Sequence, residues 1–283
     1  MNSIMSYPDR GPWGDSKYRG NCSGHIIKDL LEHYRPKIFV EVFSGGGTGA
    51  DVAKELGIKS LHLDINSGFN VLTEELPQMA DFVFSHPPYW SIVDYNKVRG
   101  GTYDTNDLSC EMPYKDFISK LDFVNQKIYN SLVNGGRHAF LMGDIRKKGV
   151  YYSVIKDMAW FGNLESHIIK TQHNCMSQST NYSGNFIPIM HEHLLVFRKD
   201  SVWLVPIKVT KTIEQDVRNQ KRATWRELIW AFLNHSGKAK YDQIYEYAKS
   251  LPKAQNNNFI EEKVRQTLGR GGFIKEGEYW LAA

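Results

Sequence analysis

A hydrophobic strand that ends in a polar residue, two prolines and an aromatic can do chemistry, and Phe84-Ser85-His86-Pro87-Pro88-Tyr89-Trp90 is such a stretch. Prolines fix φ and donate no backbone hydrogen bond, so the carbonyls around them are left to accept from a ligand. The aromatic offers a flat face on which a heterocycle can stack. A cup of this kind suits an exocyclic amino group, whose N–H protons go to acceptors while its lone pair is aimed elsewhere. About 40 residues earlier lies a glycine turn, Glu41-Val42-Phe43-Ser44-Gly45-Gly46-Gly47-Thr48. Glycines between a strand and a helix let the backbone turn sharply and approach a ligand with no Cβ in the way. The G-x-G-x-x-G spacing of dinucleotide sites is absent. Asp64, about 17 residues after Gly47, closes the next apolar run, where a carboxylate can accept both hydroxyls of a ribose.

For these residues to meet, the chain around them must alternate strands and helices. Residues 26–33 read as a helix with Ile26, Ile27, Leu30 and Leu31 on its apolar face, ended by Pro36. Residues 38–43 follow as a short buried strand, 50–56 as a helix, and 60–65 and 81–85 as further strands. A long amphipathic helix is expected over 117–132, closed by Asn134-Gly135-Gly136 as a C-terminal glycine signal. Strands follow at 137–142 and 193–197. This alternation predicts an α/β fold with a doubly wound, mostly parallel sheet. Two polar stretches, 91–112 and 173–188, break the rhythm, and loops that long inside a compact domain usually bind something. Asp144-Ile145-Arg146-Lys147-Lys148 follows a strand and reads either as a phosphate contact or as solvated charge.

Together the turn and the cup resemble the amino-directed DNA methyltransferases. Those enzymes carry Asp/Asn/Ser-Pro-Pro-Tyr/Phe/Trp as catalytic motif and Asp-Pro-Phe-x-Gly-Ser-Gly-Thr as cofactor turn. The resemblance covers roughly residues 12–200, with Tyr18-Arg19-Gly20-Asn21 similar to the family's N-terminal cofactor motif. It implies a Rossmann-like sheet and S-adenosyl-L-methionine as cofactor. Arg19, Glu41, Phe43, Gly45, Gly47, Thr48, Asp64 and Ile65 would hold it, with Ile65 on the adenine and Glu41 near the methionine end. The catalytic set would be His86, Pro87, Pro88 and Tyr89. His86 and the Pro87 carbonyl would each take one amino proton, and Tyr89 would stack on the extruded base. The implied substrate is double-stranded DNA, at adenine N6 first and cytosine N4 as the alternative, in a restriction-modification setting.

The chain departs from the family at Glu41-Val42, at Gly46 and above all at His86. A neutral imidazole has one acceptor nitrogen and can do the usual residue's work, whereas an imidazolium has none. The alternative carried by His86 is a DNA-binding protein that keeps the fold without catalysis.

At 283 residues the chain accommodates one substantial domain and a small one. The expected division is a sheet domain over residues 1–210, a linker over 211–222, and a module over 223–283. Three helices and a terminal hairpin make that module resemble a winged helix, with Lys263, Arg265, Gln266 and Arg270 on the third helix facing DNA. The other reading is a packing element that would make the protein a homodimer. About 13 Lys/Arg against about 9 Asp/Glu after residue 210 place most of the formal +4 in this tail, a bias that suits nucleic acid. Cys22, Cys110 and Cys175 are too few and too scattered for a disulfide framework or a zinc site, so no metal is expected. No apolar run approaches the roughly 20 residues of a membrane span, and the first residues carry no secretory signal. The cytoplasm is the expected location.

Overall fold

In the computed structural model, which describes residues 1–77, 80–100, 104–173, 185, 187–212, 216–220, 222–255 and 257–282, alternate side chains of each central strand point to opposite faces. The chain divides into two compact units, Met1–Thr210 and Lys211–Ala283. The first begins with β1 (Ile4–Met5), α1 (Gly24–Tyr34), β2 (Phe39–Val42), α2 (Thr48–Glu55) and β3 (Ser60–Leu63). It continues through β4 (Ala80–Ser85), α3 (Tyr95–Val98), α4 (Tyr114–Ser131) and β5 (Leu132–Met142). Then come β6 (Ile145–Lys147), β7 (Val150–Tyr152), α5 (Val154–Asp157), β8 (Trp160–Phe161), β9 (Asn163–Thr171), β10 (His191–Arg198) and β11 (Ile207–Lys208).

Seven strands form one sheet in the order β1-β9-β10-β5-β4-β2-β3. β3, β2, β4 and β5 run parallel, and β10 is antiparallel to both β5 and β9. Phe39, Phe82, Phe84, Leu141 and Leu194 face α1 and α2, joining Ile26, Ile27, Leu30, Leu31 and Val52 in one core. Val40, Val83, Phe140, Met142 and Leu195 face the other way, onto Phe117, Leu121, Val124 and Ile128 of α4. Apolar layers on both faces are what a doubly wound sheet requires. Because β3 pairs on one side of β2 and β4 on the other, the carboxyl end of β2 is a topological switch point, where such sheets bind ligands.

The glycine signal after α4 acts differently from the expectation. Asn134-Gly135-Gly136 lies inside β5, which begins directly at Leu132. Ala80 pairs Leu132 while Phe82 pairs Arg137, so the extra residues bulge out of the ladder, and Gly135 supplies the φ of +77° the bulge needs. The carbonyls at the end of α4 are instead satisfied by the Lys199 ammonium, which donates to Tyr129 at 3.1 Å, Asn130 at 3.2 Å and Leu132 at 2.8 Å. β9 is a strand that the sequence pattern does not announce. Its only fully buried side chain is Ile168, so the apolar signal of a strand is thin there.

The second unit contains α6 (Trp225–Ser236), β12 (Ala239–Lys240), α7 (Tyr241–Ser250), α8 (Ile260–Arg270), β13 (Ile274–Glu276) and β14 (Tyr279–Leu281). Ile229, Leu233, Ile244, Ala248, Val264 and Leu268 make its core, beside a small sheet in the order β12-β14-β13. Thr224 and Glu227 form a reciprocal capping box that starts α6. Residues 217–219, expected as linker, form a short 3-10 turn against Pro252–Ala254. Among the described residues no helix is long and apolar enough to cross a membrane.

Candidate active site

A cavity of about 620 Å³ opens at the switch point, within the size range of small-molecule sites. The glycine turn, the end of β3 and the Pro-Pro-Tyr cup all line it. At the turn, Phe43 adopts φ +65°, a conformation costing a bulky residue about 1–3 kcal/mol, and it tips the chain out of the sheet. Its N–H still bonds to the Leu63 carbonyl at 2.9 Å. Gly45 follows at φ +48°, with the Tyr18 ring 2.8 Å from where a Cβ would stand. Asp64 accepts the Gly45 N–H at 2.9 Å on one oxygen and the Asn66 N–H at 2.8 Å on the other. Each oxygen keeps a further lone pair for a ligand. At the start of α2, buried Thr48 carries a hydroxyl with no partner among the described residues.

Arg19, Glu41, Phe43, Gly45, Thr48, Asp64 and Ile65 all line the cavity. Gly47 does not. Its role is conformational: at φ +80° it caps the N-terminus of α2. Glu41 lies within β2 and is 3% exposed. Its Oε2 meets His62 Nδ1 at 2.8 Å and sits against Gly49, where no Cβ would fit. Burial pushes this carboxyl above its usual range, against the pull of His62.

The cup is held by side chains that come from far along the chain. Tyr89 donates its hydroxyl to Glu192 Oε1 at 2.5 Å, and Lys170 grips Glu192 Oε2 at 2.6 Å. His86 Nε2 lies 3.1 Å from the same tyrosine oxygen. The phenol donates its proton to the carboxylate, the stronger acceptor, so the hydrogen on the His86–Tyr89 bond must be the imidazole's. Nε2 therefore carries the proton and Nδ1 keeps its lone pair. Burial holds His86 below the usual histidine range and so neutral. Burial, the largest influence, opposes the Glu192 charge as well, but Lys170, His86 and the Tyr89 hydroxyl together keep the carboxyl below its usual range. Gly143 makes room for the ring, for a Cβ there would stand 2.7 Å from Tyr89. Behind the cup, Ser85 Oγ meets His138 Nε2 at 2.6 Å, and burial lowers the His138 pKa to about 3.

Glu192, Lys170 and Gln172 line the cavity without being marked by the sequence pattern, and His173 joins them from the start of the second polar stretch. A carboxylate in His191-Glu192-His193, at the mouth of an apolar strand, was the available signal. Of the two long polar stretches, residues 91–112 contribute Ile92, Tyr95, Arg99 and Asp107 to the lining and contain α3. Tyr95 donates to the Arg19 carbonyl at 2.9 Å and stacks on Tyr18, tying this stretch to the N-terminal segment. Residues 101–103 of that stretch, and 174–184 and 186 of the other, lie outside the described residues. In the basic run after β5, the Asp144 side chain is only 6% exposed, while Lys147 binds Glu111 at 2.8 Å and Ser91 at 2.6 Å over the Trp90 ring. Neither reading of that run, phosphate contact or solvated charge, describes these two residues.

Solved structures similar to this chain include TehB from Haemophilus influenzae (12% identity, TM-score 0.37, covering 62% of each chain). A candidate DNA modification methylase from Thermus thermophilus, complexed with S-adenosyl-L-methionine, is 21% identical over 64% of this chain and 60% of its own, with TM-score 0.29. An S-adenosylmethionine-dependent methyltransferase from Archaeoglobus fulgidus is 12% identical over 64% of this chain and 96% of its own, with TM-score 0.36. The chain thus spans about six tenths of the length of the first two. No curated protein matches it. The sequence profile of the N6/N4 DNA methylases matches residues 80–274, from β4 and the cup through α8. The chain belongs to the DNA methylase family.

Proposed function

We propose that this protein transfers a methyl group from S-adenosyl-L-methionine to an exocyclic amino group of DNA, at adenine N6 in preference to cytosine N4. One observation carries the reading: the glycine turn and the Pro-Pro-Tyr cup are walls of a single cavity. The residues present fit the cofactor. The orphaned Thr48 hydroxyl and the N-terminus of α2 suit its carboxylate, and the open lone pairs of Asp64 suit its ribose. Phe43, Ile65 and Leu108 supply apolar lining for the adenine. When bound, the cofactor supplies an electrophilic methyl group.

On the cup side, His86 Nδ1 and the Pro87 carbonyl take the two amino hydrogens and turn the nitrogen lone pair outward. The imidazole then holds the proton that leaves. Tyr89, fixed by Glu192, sets the imidazole's tautomer. This gives His86 the acceptor that Asp, Asn or Ser supplies in the family, which weighs against an inactive DNA-binding protein. Mass spectrometry of nucleosides from DNA incubated with protein and cofactor tests the proposal and separates N6-methyladenine from N4-methylcytosine. Methylated RNA with unmethylated DNA would overturn the substrate.

The terminal unit, residues 211–283, serves in this reading as a winged-helix DNA-binding module. Lys263, Arg265, Gln266 and Arg270 lie on α8, in support. Arg265 and Gln266 are held by Glu261 and Glu262 at 2.9 and 3.0 Å, so Lys263 and Arg270 carry most of the expected phosphate contact. Deleting residues after 222 should weaken DNA binding and flatten its salt dependence while cofactor binding persists. Unchanged DNA binding with lost self-association would make the unit a dimerisation element.

A further inference from the structure

We infer that Asp144, His191 and His193 form a binding site for a divalent transition-metal ion, Zn²⁺ above all, separate from the cofactor cavity. His191 and His193 are two apart on β10 and therefore share one sheet face, with rings 4.9 Å apart. Asp144 comes from the end of β5, whose Met142 pairs His193 across the ladder. The three ligating atoms lie within 4.8 Å of one another. None of the three residues lines the cavity.

The local geometry is that of ligands rather than of a settled hydrogen-bond pair. His193 Nε2 stands 3.4 Å from Asp144 Oδ2, long for an N–H···O bond. With metal–ligand distances near 2.0–2.1 Å, neighbouring ligands of a tetrahedral zinc lie about 3.3 Å apart, so this separation already matches one edge. Half-buried His191 closes the remaining gap by side-chain rotation. Asp144 has a 6% exposed side chain with Ser153 as a further polar neighbour, and its buried Oδ1 makes no hydrogen bond of ordinary geometry. Behind these groups, His167 Nε2 meets His193 Nδ1 at 3.0 Å and Tyr151 donates to Asp144 Oδ2 at 2.6 Å. Metal ligands are oriented by such outer partners, which fix an imidazole's tautomer and support a carboxylate. Two imidazoles and one carboxylate, with a position left over, suit Zn²⁺. The ion would pin β5, β10 and the β6–β7 hairpin together.

The full-length protein, stripped by a chelator, is titrated with Zn²⁺ and with Co²⁺ as its spectroscopic substitute. The expected result is one equivalent bound, a raised melting temperature, and the intense visible bands of tetrahedral cobalt. His191→Gln, at a half-buried position that should leave the fold intact, should weaken binding by about a hundredfold or more. Tyr151→Phe and His167→Gln should each cost roughly 10–100-fold. Failure to bind Zn²⁺ at micromolar concentration, or binding unchanged in His191→Gln, would overturn the site. A stronger response to Fe²⁺ than to Zn²⁺ would overturn the choice of metal.

Discussion

On the glycine-turn wall of the cavity, Asp64 is held by two backbone N–H groups, and Phe43 and Gly45 are set by their own φ angles. On the cup wall, His86, Tyr89, Glu192 and Lys170 hold one another through side chains, and the Tyr89–Glu192 bond spans 103 residues of sequence. The first wall is made by local backbone. The second is a buried charged network, in which every member leans on the next. Substitutions should therefore act differently on the two walls.

The largest effect should come from Glu192→Ala, which strands the Lys170 ammonium, itself 15% exposed, and should cost about 3–5 kcal/mol in chemical denaturation. The double variant Lys170→Met/Glu192→Leu should recover most of that stability but none of the turnover, since Tyr89 and His86 lose their anchor. Recovery of turnover as well would erase the distinction between the walls. Next comes His86→Ala, expected to lower the methyl-transfer rate about 10²–10³-fold with cofactor affinity unchanged. His86→Asn should retain part of the rate through its side-chain oxygen, and His86→Asp should be active. Burial lowers the His86 pKa, so the active neutral form persists below the ordinary value near 6.5, and activity should fall only at lower pH as Nδ1 takes a proton. A fully active His86→Ala protein would assign the amino group to the backbone carbonyls alone.

On the other wall, Asp64→Ala should weaken cofactor binding by about 1.5–3 kcal/mol in calorimetry and leave the cup's tyrosine chemistry intact. An unchanged isotherm would move the ribose elsewhere. The last effect is a slope, small at any one pH step. With His138 at about 3 in the folded protein and near 6.5 when unfolded, the unfolded chain binds the extra proton. The stability contributed by neutral His138 is complete above about pH 6.5 and is lost as pH falls toward 3, by up to about 1.4 kcal/mol per unit. His138→Gln should flatten that slope in denaturation measured across the same range.

The same contrast explains what could be read from sequence. Gly45 and Asp64 are held by local backbone and Pro87-Pro88-Tyr89 is contiguous in the chain, so residue type and spacing point to the cavity walls on which they lie. For Gly47 the sequence allows both turning the chain and lining the site, because the two leave the same letter, and only the turning role is seen. Glu192 and Lys170 were invisible since they matter only through a tyrosine in a different strand connection. Asn134-Gly135-Gly136 after an amphipathic run is the ordinary mark of a helix end. What overrides it is Lys199, 67 residues from Leu132.

That lysine bears on how the chain is made. β10 is the last of the seven sheet strands in sequence, yet it sits between β5 and β9. Until residues 191–199 leave the ribosome, the β2–β5 half of the sheet ends in a bare edge, and β9 with β1 has nothing to pair with on its inner side. The end of α4 is completed by the same segment, whose Lys199 ammonium satisfies the carbonyls of Tyr129 and Asn130 and that of Leu132 just beyond. One short stretch of chain, late in the sequence, thus closes the sheet, finishes a helix and delivers Glu192 to the cup.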